Sequence, residues 1–191
     1  EKPDMPSPRQ SSLTPSAQEP YVPISGKERA KWFVKATVGP QSLAAGLFTS
    51  GINTARDKPV EYGPGWEGFG KRYGMRLTGV ATSSAIETSL GSIWGEDPRY
   101  FRTSGQSFGK RVRNVVIMTF MAKRADGYLA PAYARYTAIV GGNFLSNTWR
   151  ADSEATSTAA LRRAALGVVG RMTADAFKEF WPDLARVIHH R

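Results

Sequence analysis

The stretch Gly65–Trp94 constrains this chain more than any other. It holds no proline, lies between Pro64 and Pro98, and is long enough for about eight turns of α-helix. On a helical wheel, Trp66, Phe69, Tyr73, Leu77, Val80, Ser84, Glu87 and Gly91 follow one another at steps of three and four. That face is aromatic at its start and thins later. A second face steps through Gly70, Gly74, Thr78, Ala81, Ala85, Thr88 and Ser92, all of them small. Small residues at this spacing let another helix come very close, with hydroxyls available to bond across. Glycine and threonine are poor helix formers, so the helix needs tertiary or quaternary support. The small face therefore reads as a helix-packing or oligomer seam. The plainer alternative is the central helix of a soluble bundle.

The rest of the chain also reads as helix. Ser25, with Glu28 three residues on, is a capping-box signature, and Lys27–Val38 reads as a short basic helix. Gly39-Pro40 breaks it, and Pro40 suits the first turn of a helix over Gln41–Ala55. Further helices are expected over Ser107–Arg124, Ala130–Thr148 and Glu154–Phe180, the last stopped by Pro182. Its Leu161, Ala165, Val168, Met172 and Ala176 form one apolar face and Leu166, Val169, Phe177 and Phe180 another, which predicts contacts on two sides. Asp126-Gly127 is a turn. Strand-like alternation is sustained nowhere. The expected fold class is all-α, a bundle of about five helices with close small-residue packing and an extended Pro-rich N-terminal arm.

The arm spans 1–26 and the helical domain 27–191. Pro3, Pro6, Pro8, Pro15, Pro20 and Pro23 rule out a helix or a central strand there and favour extended backbone. Free, the arm is a linker; held down, its natural anchors are Tyr21 and Val22.

Lys and Arg number 26 against 16 Asp and Glu, a net charge of +10. That balance suits an anionic partner. The basic residues are spread along the chain with no nucleic-acid-binding motif, which disfavours nucleic acid. No window of about 20 residues is uniformly apolar, so no ordinary membrane-spanning helix is expected. Trp32 between Lys31 and Lys35, and Trp66 at the start of the long helix, are membrane-interface candidates. The partners these features suit are an anionic lipid or membrane, copies of the chain in a homo-oligomer, or an envelope protein complex.

The only histidines are His189 and His190, and there is no cysteine. No nucleophile–His–acid triad or metal-ligand spacing is present, so no catalytic residue, metal or cofactor is assigned. Glu67, Glu87, Glu96 and Asp97 are the residue types a carboxylate-dependent hydrolase uses, and that role needs two of them in one cleft. Glu87 is the sole charge between Arg76 and Glu96. Buried, it requires a cation, with Arg111 and Arg113 of the next helix as candidates.

Three stretches carry a resemblance. They are Gly65-Trp66-Glu67-Gly68-Phe69-Gly70-Lys71-Arg72-Tyr73-Gly74, then Glu96-Asp97-Pro98-Arg99-Tyr100-Phe101-Arg102, then Lys178-Glu179-Phe180-Trp181-Pro182-Asp183. Together they resemble a group of uncharacterised, secreted helical proteins of bacterial cell envelopes. The resemblance covers roughly Val60–Leu184 and implies no activity or functional residue. It implies a cleaved leader and a location in the bacterial cell envelope, periplasm or outer membrane. The function expected is a non-enzymatic envelope protein with a structural or scaffold role. A soluble basic module for an anionic polymer, nucleic acid or acidic glycan, and a hydrolase are the alternatives.

Overall fold

The structure, a computed structural model, describes residues 21–189. Chain order runs α1 (Gly26–Val38), α2 (Pro40–Ala55), α3 (Gly65–Trp94), β1 (Glu96–Asp97), α4 (Phe108–Phe120), β2 (Met121–Arg124), β3 (Leu129–Pro131), α5 (Tyr133–Leu145) and α6 (Ser157–His189). The helical expectation holds, and α3 occupies the predicted range. It ends where Gly95 turns left-handed at φ 69° and donates its N–H back to the Gly91 carbonyl, a conformation glycine adopts without a Cβ penalty. The capping box at α1 forms, with Ser25 accepting from the Glu28 N–H and Glu28 accepting from the Ser25 N–H.

Two expectations are corrected. First, the helix expected over Ser107–Arg124 stops at Phe120, and the one expected from Ala130 begins at Tyr133. The residues between form an antiparallel hairpin, β2 with β3, and β1 joins its other edge as Glu96↔Arg124 and Asp97↔Lys123. Strands of two to four residues are too short for period-2 alternation to register. The Asp126-Gly127 turn makes the hairpin: Gly127 has φ 84° and its N–H reaches the Arg124 carbonyl at 2.8 Å. Second, α6 runs through Pro182. A proline removes its own N–H from the helix ladder. The following residue, Asp183, ties the next turn down through Arg102 at 2.7 Å, Arg111 at 2.6 Å and Arg186 at 2.8 Å.

Helix α3 is the hub, flanked by α1, α2 and α5, while α6 lies against α5 and α4. Small residues set the α3–α5 distance. A Cβ placed on Gly142 would lie 2.5 Å from the Ser83 hydroxyl, and one on Gly91 would lie 3.8 Å from the Ala134 methyl. The interior is polar. Among the described residues, the buried hydrophobics larger than alanine are Tyr62, Val115 and Met118. The largest side chains sealed from solvent are Arg135, Glu179, Asp97 and Asp175.

Candidate functional site

Those sealed charges form one connected system where α3, α5 and α6 converge. Arg135 on α5 donates through Nε to Glu87 of α3 at 3.0 Å. Its Nη1 reaches the carbonyls of Met118 at 2.7 Å and Thr119 at 3.0 Å, at the C-terminal end of α4. Those carbonyls lack intrahelical donors, so the guanidinium both satisfies them and opposes the negative end of the helix dipole. Arg171 on α6 faces the other oxygen of Glu87 at 3.5 Å and donates to Asp175 at 3.1 Å, and Lys178 donates to Asp175 at 2.9 Å. Burial presses the Arg135 guanidinium below its ordinary pKa, and the neighbouring Arg171 adds to that; Glu87 opposes both.

The two later motifs build the rest. Glu96 caps α5 from outside the helix, accepting the N–H groups of Tyr133 at 3.1 Å and Ala134 at 3.0 Å. Asp97 receives both Arg99 and the Tyr21 hydroxyl. Tyr100 donates to Glu179 at 2.7 Å, and Arg111 reaches the same carboxylate at 2.9 Å. Burial followed by the Glu179 hydrogen bond pushes the Tyr100 hydroxyl far up. Thus Glu96–Arg102 and Lys178–Asp183, far apart in sequence, meet in one place. The first motif has a separate duty. Arg72 gathers the carbonyls of Lys58, Pro59 and Gly63 at 2.7–2.8 Å, plus Asp57 at 3.0 Å, folding the 57–63 loop onto α3. Gly68 must be glycine there, since a Cβ would sit 1.8 Å from the Gly63 carbonyl oxygen.

Glu87 is buried, and its partners are Arg135 and Arg171. Arg111 serves Glu179 and Asp183 instead, and Arg113 is exposed. Glu87, Glu96 and Asp97 do line one hollow with Arg135, which has no space for a water molecule, and each carboxylate is already bonded; Glu67 lies on the surface with Lys71. The small-residue face does not form the close α3–α5 contact, which passes through Ser83, Glu87 and Gly91. Gly70, Thr78, Ala85 and Ser92 are exposed, Gly74, Ala81 and Thr88 half-buried, and the Thr88 hydroxyl has no partner. Gly70, Gly74 and Thr78 line an open groove of about 500 Å³ with Tyr62, Lys71 and Met75. Trp32 is half-buried with Arg171 over its ring at 5.9 Å, beside exposed Lys31 and Lys35, whereas Trp66 is 87 % exposed. Of the arm, Glu1–Pro20 lies outside the described residues. Tyr21 seats against Phe101, and Val22 offers its carbonyl to Arg99 while its side chain faces solvent.

Sequence reasoning missed Arg135. The signal was the one used for Glu87: Arg135 is the sole charge between Asp126 and Arg150. These two lone charges pair with each other.

The exterior is the complement of this interior. Leu47, Phe48, Val60, Ile93, Phe108, Leu161, Leu166, Val169 and Leu184 are all more than half exposed. Of the two apolar faces expected on α6, Leu161, Ala165, Leu166, Val169 and Phe177 are exposed and Val168, Met172, Ala176 and Phe180 half-buried. Its buried face is instead Ala160, Ala164, Asp175 and Glu179. Among the described residues, no helix is long and apolar enough to cross a membrane, and no group of carboxylates and histidines is arranged to hold a metal ion. Comparison with models of known protein families, with curated proteins and with solved structures finds no match to this chain.

Proposed function

We propose that this chain is a non-enzymatic protein of the bacterial cell envelope, with a structural or scaffold role, whose apolar helix faces are covered by lipid or by copies of itself. One observation carries the reading: charged side chains such as Arg135, Glu87, Asp97, Asp175 and Glu179 are buried while many large hydrophobics lie exposed. An ionic interior holds helix ends in register, but leaves the hydrophobic effect to act at the outer surface. The small-residue face of α3, open along Gly70, Gly74 and Thr78, supports close association with a second helix. The envelope location rests on the resemblance of the three motifs.

The test is mass by light scattering, in buffer and in mild detergent, on the full chain and on a chain starting at Gly26. A discrete assembly, or a detergent-bound particle, is the expected result. A monodisperse monomer in detergent-free buffer with no lipid binding overturns the proposal. A second reading, a basic module for an anionic polymer, is favoured by the inward placement of Glu87, Glu96, Asp97, Asp175 and Glu179. It predicts affinity falling steeply with salt and no dependence on the exposed apolar residues.

A further inference from the structure

The outer face shared by α4 and the C-terminal half of α6 combines two properties. The first is a contiguous aromatic surface. Phe108 of α4 meets Phe180 of α6 with ring centres 5.4 Å apart, and Phe177 stacks on Trp181 at 4.9 Å. Phe108 is 72 % exposed, and Phe177, Trp181 and Leu184 each about half. From Phe108 the surface continues along α4 through Val112, Val116 and Phe120, spaced four apart and all exposed.

The second property is one-signed charge. Helix α4 carries Lys110, Arg111 and Arg113 and no acid. The carboxylates of this part of α6 are withdrawn. Asp175 and Glu179 are fully buried, and Asp183 is taken up by Arg102, Arg111 and Arg186. Arg113, beside Val116 and Phe120 by helical spacing, remains exposed. Arg111 lies 4.5 Å from the centre of the Phe180 ring, so cation and aromatic surface are interleaved.

The geometry points to this α4–α6 face as the surface that docks on a bilayer bearing anionic lipid, an inference that rests on the proposed envelope role and specifies its partner. Phenylalanine and tryptophan sink into the headgroup region while lysine and arginine pair with anionic headgroups. A second copy is disfavoured by the same observation. A two-fold contact through this face would set positive charge against positive charge across an apolar seam. The mode is peripheral, in keeping with the absence of a spanning helix among the described residues.

The experiment uses the full chain with vesicles of phosphatidylcholine alone and with about one third phosphatidylglycerol. Flotation measures partitioning, and quenching by brominated phosphatidylcholine reports which tryptophan enters the lipid. Binding is expected to need phosphatidylglycerol and to weaken with salt, by about fivefold for each basic residue engaged. Phe108→Ala with Trp181→Ala is expected to lower partitioning about tenfold or more, with an unchanged circular dichroism spectrum. Trp181→Phe is expected to remove the lipid-dependent quenching, and Trp66→Phe to leave it. If vesicles bind but neither Phe108→Ala/Trp181→Ala nor Trp181→Phe changes anything, this face is overturned and the wider envelope reading stands. If no vesicle binds and the chain forms a discrete assembly in buffer, lipid docking is overturned and copies of the chain cover the apolar faces.

Discussion

Replacing Arg135 by methionine probes the interior most directly. The guanidinium is buried and holds Glu87 together with the carbonyls of Met118 and Thr119. Removing one partner of a buried ion pair costs about 3–5 kcal/mol, because the other charge is left without compensation. Each buried carbonyl left without a donor adds about 1–3 kcal/mol. These costs overlap, so about 5 kcal/mol is expected for Arg135→Met, a large part of the roughly 5–15 kcal/mol that holds a domain together. Glu87→Leu should cost about 3 kcal/mol, since Arg135 keeps its carbonyls and Arg171 keeps Asp175. The double variant is the decisive one. With both charges gone, only the α4 carbonyls remain unsatisfied, so the double should cost about 5 kcal/mol, well short of the sum. Urea unfolding followed by circular dichroism measures all three, and a fall in Tm of about 10–20 °C accompanies the single Arg135 change. Costs that add within about 0.5 kcal/mol would refute the coupling. A cost under about 1 kcal/mol for Arg135→Met would refute the claim that this side chain ties α4 to α3.

Other predictions address separate parts of the fold. Burial raises the Glu179 carboxyl, but Arg111, Tyr100 and the Thr103 N–H outweigh it and hold the group below its ordinary 4.5, while Arg102 and Arg111 hold Asp183 below 3.8. Both folded values are depressed, so the stabilisation is present above the unfolded pKa and disappears as pH falls through the folded one. Urea midpoints should therefore be flat above about pH 5 and drop in acid, and Glu179→Gln should flatten that drop. Gly142→Ala forces its methyl against Ser83 and should cost about 1–3 kcal/mol by unfolding. Gly70→Ala with Gly74→Ala meets nothing within 4 Å and should stabilise the isolated fold by up to about 1 kcal/mol per site. If the small face is a seam between copies, the same double variant should also reduce the assembly mass in light scattering. Tyr21→Phe deletes the 3.0 Å bond to Asp97 and should cost about 1 kcal/mol. Burial, with Asp97, raises that hydroxyl to about 12. The raised value stabilises below the unfolded pKa near 10 and is lost as pH rises through about 12, so an absorbance titration of a chain starting at Gly26 should show one late tyrosinate fewer than the full chain, with that of Tyr100 remaining.

The helices were legible because their signals are local. Pro64 and Gly95 bound α3, Ser25 with Glu28 opens α1, and Pro40 starts α2, each acting within one turn of chain. The hairpin at Met121–Pro131 was not legible, because strands this short exist through their partners and carry no pattern of their own. Pro182 illustrates the same limit: its local rule favours a stop, and Asp183, anchored by Arg102 and Arg111 from distant sequence, carries the helix on. Glu87 announced itself as a lone charge that needs a cation. That the cation is Arg135, 48 residues away, follows only from the α3–α5 packing that Gly142 and Ser83 permit. The amphipathic pattern of α6 specified which residues share a face, but not which face turns inward. In a chain whose helix ends and carboxylates are satisfied by buried arginines, the ionic face won the interior, and the apolar faces stayed half-buried or exposed.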